Sequence, residues 1–137
     1  MEIRDLVVRD LVTVGSTHTL AQAAKLMNAK RVGSAIVMTD ESPGIVSERD
    51  ILRAVADGAD PNEVTVGDYM TWNAIVATSE WDTMEAARTM LEHGFRHLVV
   101  LDGSSHEVGI LSIRDLMAGI LGCTRPPRTT TTVGEGY

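Results

Sequence analysis

Two stretches of the chain, GIVSERDIL from position 44 and GILSIRDLM from position 109, follow nearly the same pattern. Each runs glycine, two aliphatic residues, serine, two further residues and aspartate. A serine followed three positions later by an acidic residue is typical of a helix N-terminus, where hydroxyl and carboxylate satisfy backbone N–H groups. The same groups, with the arginine that precedes the aspartate, could bind the ribose and phosphate of a nucleotide, because the positive end of a helix dipole favours phosphate.

The serine and aspartate side chains support both interpretations. Aspartate is shorter than the glutamate or glutamine usual in a capping box, so we expect it to close the box poorly. Because a phosphate would repel an aspartate, its natural partner in a nucleotide is the ribose diol, whose hydroxyls donate to the carboxylate. We therefore predict a ligand role for Ser47, Asp50, Ser112 and Asp115, with helix capping as the alternative.

Arg49 and Arg114 occupy the same place in the two motifs. The helix dipole disfavours a cation in the first turn, so a repeated arginine there suggests a ligand or interface role. A guanidinium binds phosphate through two parallel hydrogen bonds, which makes phosphate contact the predicted role. A solvated surface arginine is the alternative.

Further candidates lie ahead of the strands that precede each motif. Arg96 and His97 are either surface charges or phosphate contacts, and His97 would make binding sensitive to pH. Trp72 would stack on a base or pack in a core or a dimer interface. Residues 33–34 and 73–75 could offer backbone groups and a small hydroxyl to a purine. The candidate ligand-binding residues are Gly33, Ser34, Ala35, Ser47, Arg49, Asp50, Asn73, Ile75, Arg96, His97, Leu98, Ser112, Arg114 and Asp115.

The two motifs are part of a longer internal repeat. Residues 32–38 (VGSAIVM) match residues 95–101 (FRHLVVL) at an offset of 63. Residues 12–27 match residues 76–91 without a gap at an offset of 64, and the motifs match at 65. The chain is therefore two copies of one unit of about 60 residues.

Each copy predicts the element order β-α-β-β-α. A helix in the middle of the copy carries apolar residues at i, i+3, i+4 and i+7, and a threonine stands where its N-cap is expected. These caps are Thr19 and Thr83, and the apolar positions are Leu20, Ala23, Ala24 and Met27 in the first copy and Met84, Ala87, Arg88 and Leu91 in the second. The other predicted elements are strands at 35–38, 44–46, 98–101 and 109–111 and helices at 49–56 and 114–121.

One copy is too small to bury a stable core alone. The sequence thus predicts a mixed α/β (α+β) fold of two repeats packed sheet to sheet with pseudo-two-fold symmetry. The predicted boundaries are 1–58 for the first repeat, 59–65 for a linker and 66–122 for the second repeat. Residues 123–137, rich in Thr, Pro and Gly, are predicted to form a disordered tail.

Composition and charge argue against several kinds of partner and location. A net charge of −7 argues against nucleic acid or an anionic membrane as the main partner, but a small anionic ligand needs only a local cluster of arginines. No apolar run approaches the ~18 residues of a membrane span. A charged N-terminus argues against a signal peptide, and a single cysteine, Cys123, argues against a disulfide, so we expect a cytoplasmic protein.

The sequence contains no enzyme signature. Its four histidines lack metal-ligand spacing, and there is neither a nucleophile elbow nor a phosphate-binding loop of the P-loop kind. We therefore expect no catalysis, no metal and no obligatory cofactor. A small nucleotide hydrolase is the remaining enzymatic alternative.

The doubled Gly-hydrophobic-x-Ser-x-x-Asp motifs, in register with a repeat over residues 1–122, resemble the tandem CBS-domain pair, also called a Bateman module. The resemblance implies a regulatory module that binds AMP, ADP or ATP, or in some members NAD-like ligands or S-adenosylmethionine, in clefts between the repeats. It also implies that two modules associate into a homodimer. The chain departs from the family in having Ile36 and Val99 where many members carry proline, and serine rather than threonine in both motifs.

We expect a stand-alone CBS pair that senses an adenine nucleotide and reports it through oligomeric state or to an effector protein in trans. The alternative is a module that binds no ligand and serves as a dimerising interaction domain.

Overall fold

The computed structural model describes residues 1–7 and 11–122, which contain the same series of elements twice. A 3-10 helix, Ile3–Leu6, precedes the first series and a short α-helix precedes the second. The first series is β1 (Thr13–Gly15), α1 (Leu20–Lys30), β2 (Ser34–Met38), β3 (Gly44–Ser47) and α2 (Glu48–Ala56). The second is α3 (Val66–Tyr69), β4 (Val76–Thr78), α4 (Thr83–His93), β5 (His97–Leu101), β6 (Val108–Ser112) and α5 (Ile113–Leu121). The predicted β-α-β-β-α order is confirmed, and the predicted tail lies outside the described residues.

Each series forms a three-stranded sheet with the same topology. β2 lies between β1, which is parallel to it, and β3, which is antiparallel; β5 lies in the same way between β4 and β6. The parallel pair follows from the helix that connects its strands, and the antiparallel pair from the short polar turn. In this register Ser34 lies opposite Ser47, and His97 lies opposite Ser112.

The described residues divide into two compact units. One contains residues 12–72, and the other contains residues 1–7, 11 and 73–122. In the first unit, the predicted linker docks on α1, because the N–H groups of Leu20 and Ala21 donate to the carbonyls of Val64 (3.1 Å) and Pro61 (2.9 Å). The compact units and the sequence repeats are therefore divided at different residues. No helix within the described ranges is long and apolar enough to cross a membrane.

The two cores are built from aliphatic side chains of the strands and the middle helices. In α1 Leu20, Ala23 and Met27 are buried as predicted, and the fourth predicted position, Ala24, is half-buried. The three buried residues pack with strand residues such as Val37 and Val46. Burial of apolar surface stabilises the folded state by about 25 cal/mol per Å². The buried face therefore holds α1 against its sheet and fixes the position of β2 relative to α1.

The buried face of α4 differs from the predicted one. Thr83, Ala86 and Met90 are buried, whereas Met84 and Leu91 are 57% and 78% exposed. The offset between α1 and α4 is 63, not 64, so the gapless match placed the face one residue too late. The predicted stripe of Met84, Ala87, Arg88 and Leu91 was wrong because the buried face of α4 begins at Thr83, one residue earlier, and continues through Ala86 and Met90.

The shift of one residue also changes the N-cap of α4. Thr19 caps α1 as predicted, in a capping box with Gln22. The cap of α4 is Asp82, whose carboxylate accepts the N–H of Met84 at 2.9 Å, so the prediction of Thr83 was wrong. Asp82 is the better cap of the two by chemistry as well, because a negative charge favours the positive end of the helix dipole.

Candidate functional site

The first motif lies at the corner where β3 ends and α2 begins. The backbone N–H and the hydroxyl of Ser47 both donate to Oδ2 of Asp50, at 2.8 and 3.3 Å. Asp50 is only 8% exposed. The expectation that aspartate closes the box poorly is therefore wrong, because the extended backbone of Ser47 (φ −124°, ψ 168°) brings its N–H within reach of the short side chain.

The second motif forms an equivalent corner between β6 and α5. The hydroxyl of Ser112 donates to Oδ2 of Asp115 at 2.8 Å, and its backbone N–H donates to the same oxygen at 3.3 Å. The N–H of Asp115 donates back to the serine hydroxyl at 3.0 Å. Asp115 is 4% exposed, so each corner holds a buried carboxylate at the N-terminus of a helix.

A third box of the same kind occurs outside the motifs. The N–H of Thr65 donates to Oδ2 of Asp68 at 2.9 Å ahead of the four-residue helix α3. Asp68 is exposed, whereas Asp50 and Asp115 are buried. Capping therefore explains the hydrogen bonds at all three places, and burial beside a strand distinguishes the two motif corners.

The central strand of each sheet supplies the other side of each corner. The first N–H of α2, from Glu48, donates to the carbonyl of Gly33 at 2.9 Å, and the first N–H of α5, from Ile113, donates to the carbonyl of Arg96 at 2.8 Å. The next residue along, Ser34 or His97, lies opposite the motif serine. In the first unit the structure thus brings together the predicted residues Gly33, Ser34, Ser47, Arg49 and Asp50; in the second it brings together Arg96, His97, Ser112, Arg114 and Asp115.

The remaining candidates lie at the margins of these corners. Ala35 and Leu98 are each 1% exposed, so their side chains belong to the apolar cores. Val76 lies opposite Val99 in the parallel pair, so residues 73–75 run along the His97 end of β5. Ile75 is 37% exposed.

Sequence reasoning missed a side-chain cluster attached to the first corner. One terminal nitrogen of Arg53, Nη2, donates to Oδ1 of Asp50 and to the carbonyl of Tyr69, both at 2.8 Å. The guanidinium lies 5.7 Å from the centre of the Tyr69 ring, and the Tyr69 hydroxyl donates to Oδ2 of Asp57 at 3.0 Å. The available signal was the spacing of Asp50 and Arg53, since residues three apart on a helix are neighbours.

The chemistry available at the corners is that of binding. Each offers a carboxylate acceptor, a hydroxyl and an arginine at a helix N-terminus, a set suited to the hydroxyls and phosphate of a ribose phosphate. Within residues 1–7 and 11–122, no group of three or more His, Cys, Asp and Glu side chains is arranged to hold a metal ion.

Comparison with known proteins identifies the family. A family model described as the CBS domain matches residues 3–57 and 66–122. This chain belongs to the CBS-domain family. Its relatives include the uncharacterized protein MK0525 of Methanopyrus kandleri, 28% identical over 85% of this chain, and MJ1225 of Methanocaldococcus jannaschii, 33% identical over 84% of it. The matched regions are 61% and 41% of the length of these two CBS-domain relatives.

Solved structures of CBS-domain proteins share the fold. The CBS domain protein PAE2072 of Pyrobaculum aerophilum, complexed with AMP, is 29% identical with a TM-score of 0.76, and the match covers 90% of this chain and 100% of that one. A hexameric CBS-CP12 protein from bloom-forming cyanobacteria is 28% identical with a TM-score of 0.79, covering 85% of this chain and 69% of the other.

Proposed function

We propose that this CBS-domain protein is a regulatory module that binds an adenine nucleotide, AMP, ADP or ATP, at the Ser-x-x-Asp corners of its two repeats. The observation that carries the proposal is the pair of equivalent corners, each with a buried carboxylate held by a serine at a helix N-terminus. The AMP complex of the Pyrobaculum protein, which this chain matches over that protein's full length, supports the choice of ligand.

We propose a role for each of these side chains. Asp50 and Asp115 accept hydrogen bonds from the ribose diol. Their serines already hold the two carboxylates in position, so these side chains lose little entropy when the ligand binds. Arg49 and Arg114, exposed in the first helical turns, contact phosphate. Local arginines matter in this chain because its net charge of −7 repels an anionic ligand at long range.

The proposed output is a change in association or in the binding of an effector protein in the cytoplasm. A nucleotide can shift such an equilibrium only by its differential affinity for the two states. The last helix of each repeat exposes apolar side chains that are suited to self-association into a homodimer. They are Leu52 and Val55 on α2 and Met117, Ile120 and Leu121 on α5. Sedimentation velocity with and without AMP measures this association.

Thermal unfolding with and without AMP, ADP, ATP, NAD and S-adenosylmethionine tests the proposal. A ligand that binds the native state alone stabilises it by about 2.7 kcal/mol at a concentration 100 times its Kd. We expect an adenine nucleotide to raise the midpoint. If no compound raises it at millimolar concentration, the alternative holds: a dimerising interaction module that binds no ligand.

A helix-capping carboxylate outside the motifs provides a matched control. We expect the double variant Asp50→Asn Asp115→Asn to lose the nucleotide-dependent rise in midpoint, because the ribose diol loses its charged acceptors. Asp82→Asn removes the same charge from the N-cap of α4, outside both motifs, and should retain the rise. Equal loss in both variants would contradict binding at the motif corners.

A further inference from the structure

The Arg53 cluster joins the first corner to a segment that follows it in the chain. Because one nitrogen of Arg53 donates to both Asp50 and the carbonyl of Tyr69, the motif carboxylate and the last residue of α3 share a single donor group. The Asp50 side chain is 11% exposed and the Arg53 side chain 56% exposed. Movement of Asp50 therefore changes the contact that α2 makes with α3.

Residues 66–72 are held in the first unit by a continuous series of contacts. The N–H of Val66 donates to the carbonyl of His18 at 2.8 Å, and Thr71 exchanges both backbone hydrogen bonds with Ile45, at 2.9 and 3.1 Å. The indole N–H of Trp72 donates to the carbonyl of Gly67 at 3.1 Å. Ile45 belongs to β3, which ends at Ser47, so this segment is attached to the motif by the strand as well as by Arg53.

The chain leaves the first unit directly after this segment. Among the described residues, Trp72 is the last of that unit, and the next residue, Asn73, belongs to the other unit and has a left-handed backbone with φ of 52°. Asparagine adopts the left-handed conformation more readily than most residues, because its short amide side chain can hydrogen-bond to the local backbone. Residues 66–72 are thus the last part of the first unit before the chain passes into the second repeat's strands.

The second motif has a different residue at the position of Arg53. The residue three positions after Asp115 is Ala118, whose methyl group can neither donate a hydrogen bond nor pair with a carboxylate. The two corners therefore share the Ser-x-x-Asp box but differ in the residue one turn further along the helix.

We propose that Arg53 is a positioning residue that couples nucleotide binding at the Ser47–Asp50 corner to residues 66–72. The inference rests on the proposed nucleotide binding. A ribose held by Asp50 and the guanidinium of Arg53 favour the same orientation of the carboxylate, so occupancy of the corner strengthens the contact with α3. Because coupling is reciprocal, the contact with α3 also strengthens nucleotide binding.

Trp72 makes the coupling measurable. In a Trp81→Phe Asp115→Asn background, Trp72 is the remaining tryptophan and the first corner is the intact one. We expect AMP to change the Trp72 fluorescence. Arg53→Ala should abolish that change. It should also raise the Kd for AMP about tenfold, because Asp50 loses a charge-assisted hydrogen bond that orients its carboxylate.

Two further variants separate positioning from folding. Arg53→Lys retains a cationic donor and should restore part of the fluorescence change and of the affinity. Arg88→Ala, which removes an exposed arginine of α4, should leave both unchanged. If calorimetry shows that AMP binds and Arg53→Ala leaves the Kd or the Trp72 signal intact, the coupling is overturned. If AMP, ADP and ATP all fail to bind the wild-type protein, both the coupling and the proposed function are overturned.

Discussion

The carboxylate of Asp50 accepts two hydrogen bonds from Ser47 on one oxygen and one from Arg53 on the other. A carboxylate has about four lone-pair positions, so a ribose hydroxyl can join these partners without displacing them. The same atoms can therefore serve as a helix cap and as a ligand site. This is why the spacing of serine and aspartate alone did not separate the two interpretations.

The hydroxyl of Tyr69 offers a test of the Arg53 cluster that needs no nucleotide. Its hydrogen bond to Asp57 raises the pKa of Tyr69 above its ordinary value, because the carboxylate favours the protonated phenol. The folded-state pKa is the higher one, so the contribution to stability is present below the unfolded-state pKa and is lost as pH rises through the folded-state pKa. Ultraviolet titration of tyrosinate should show this pKa falling toward its ordinary value in Asp57→Asn; an unchanged pKa would contradict the contact.

Among the secondary-structure elements, the contact between β3 and residues 70–71 explains the glycine that opens the first motif. A Cβ built on Gly44 would meet Cε of Met70 and would lie 2.7 Å from the backbone oxygen of Thr71. The motif glycine is therefore required by close packing of the chain rather than by a turn.

Substitution of this glycine should loosen the segment that follows α3. We expect Gly44→Ala to lower the free energy of unfolding by about 1–3 kcal/mol. The added methyl group would clash with the backbone oxygen of Thr71, which cannot move aside as a flexible side chain can. Gly103→Ala is the control, since its Cβ would approach nothing nearer than 3.6 Å. Urea unfolding measures both, and equal free energies of unfolding for Gly44→Ala and wild type would contradict this role.

Element type and order could be predicted because hydrophobic period and motif spacing are local properties of the sequence. Strands β2 and β3 and helix α2 lie within a residue of their predicted bounds. The face of α4 was misplaced by one residue because α4 follows α1 at an offset of 63 rather than the 64 of the gapless repeat match, which puts Thr83 rather than Met84 at the start of the buried face. The Arg53 cluster was missed because its contact with Tyr69 joins residues 16 positions apart and depends on how α3 docks, which periodicity does not report.

On the scale of the whole molecule, the two repeats are alike in fold and differ at their corners. The first corner has Gly33, Ser34 and the Arg53 cluster, whereas Arg96 and His97 take the places of Gly33 and Ser34 in the second. We therefore expect the two corners to differ in their affinity for the proposed nucleotide.

Binding at the two motif corners is the central claim, and an NMR titration locates it most directly. Amide spectra of the isotope-labelled protein would be recorded with increasing AMP. We predict that the largest shifts fall on the amides of residues 47–50 and 112–115, with residues 66–72 shifting alongside the first corner. Shifts confined to other parts of the chain, or no shifts for AMP, ADP or ATP, would contradict the account.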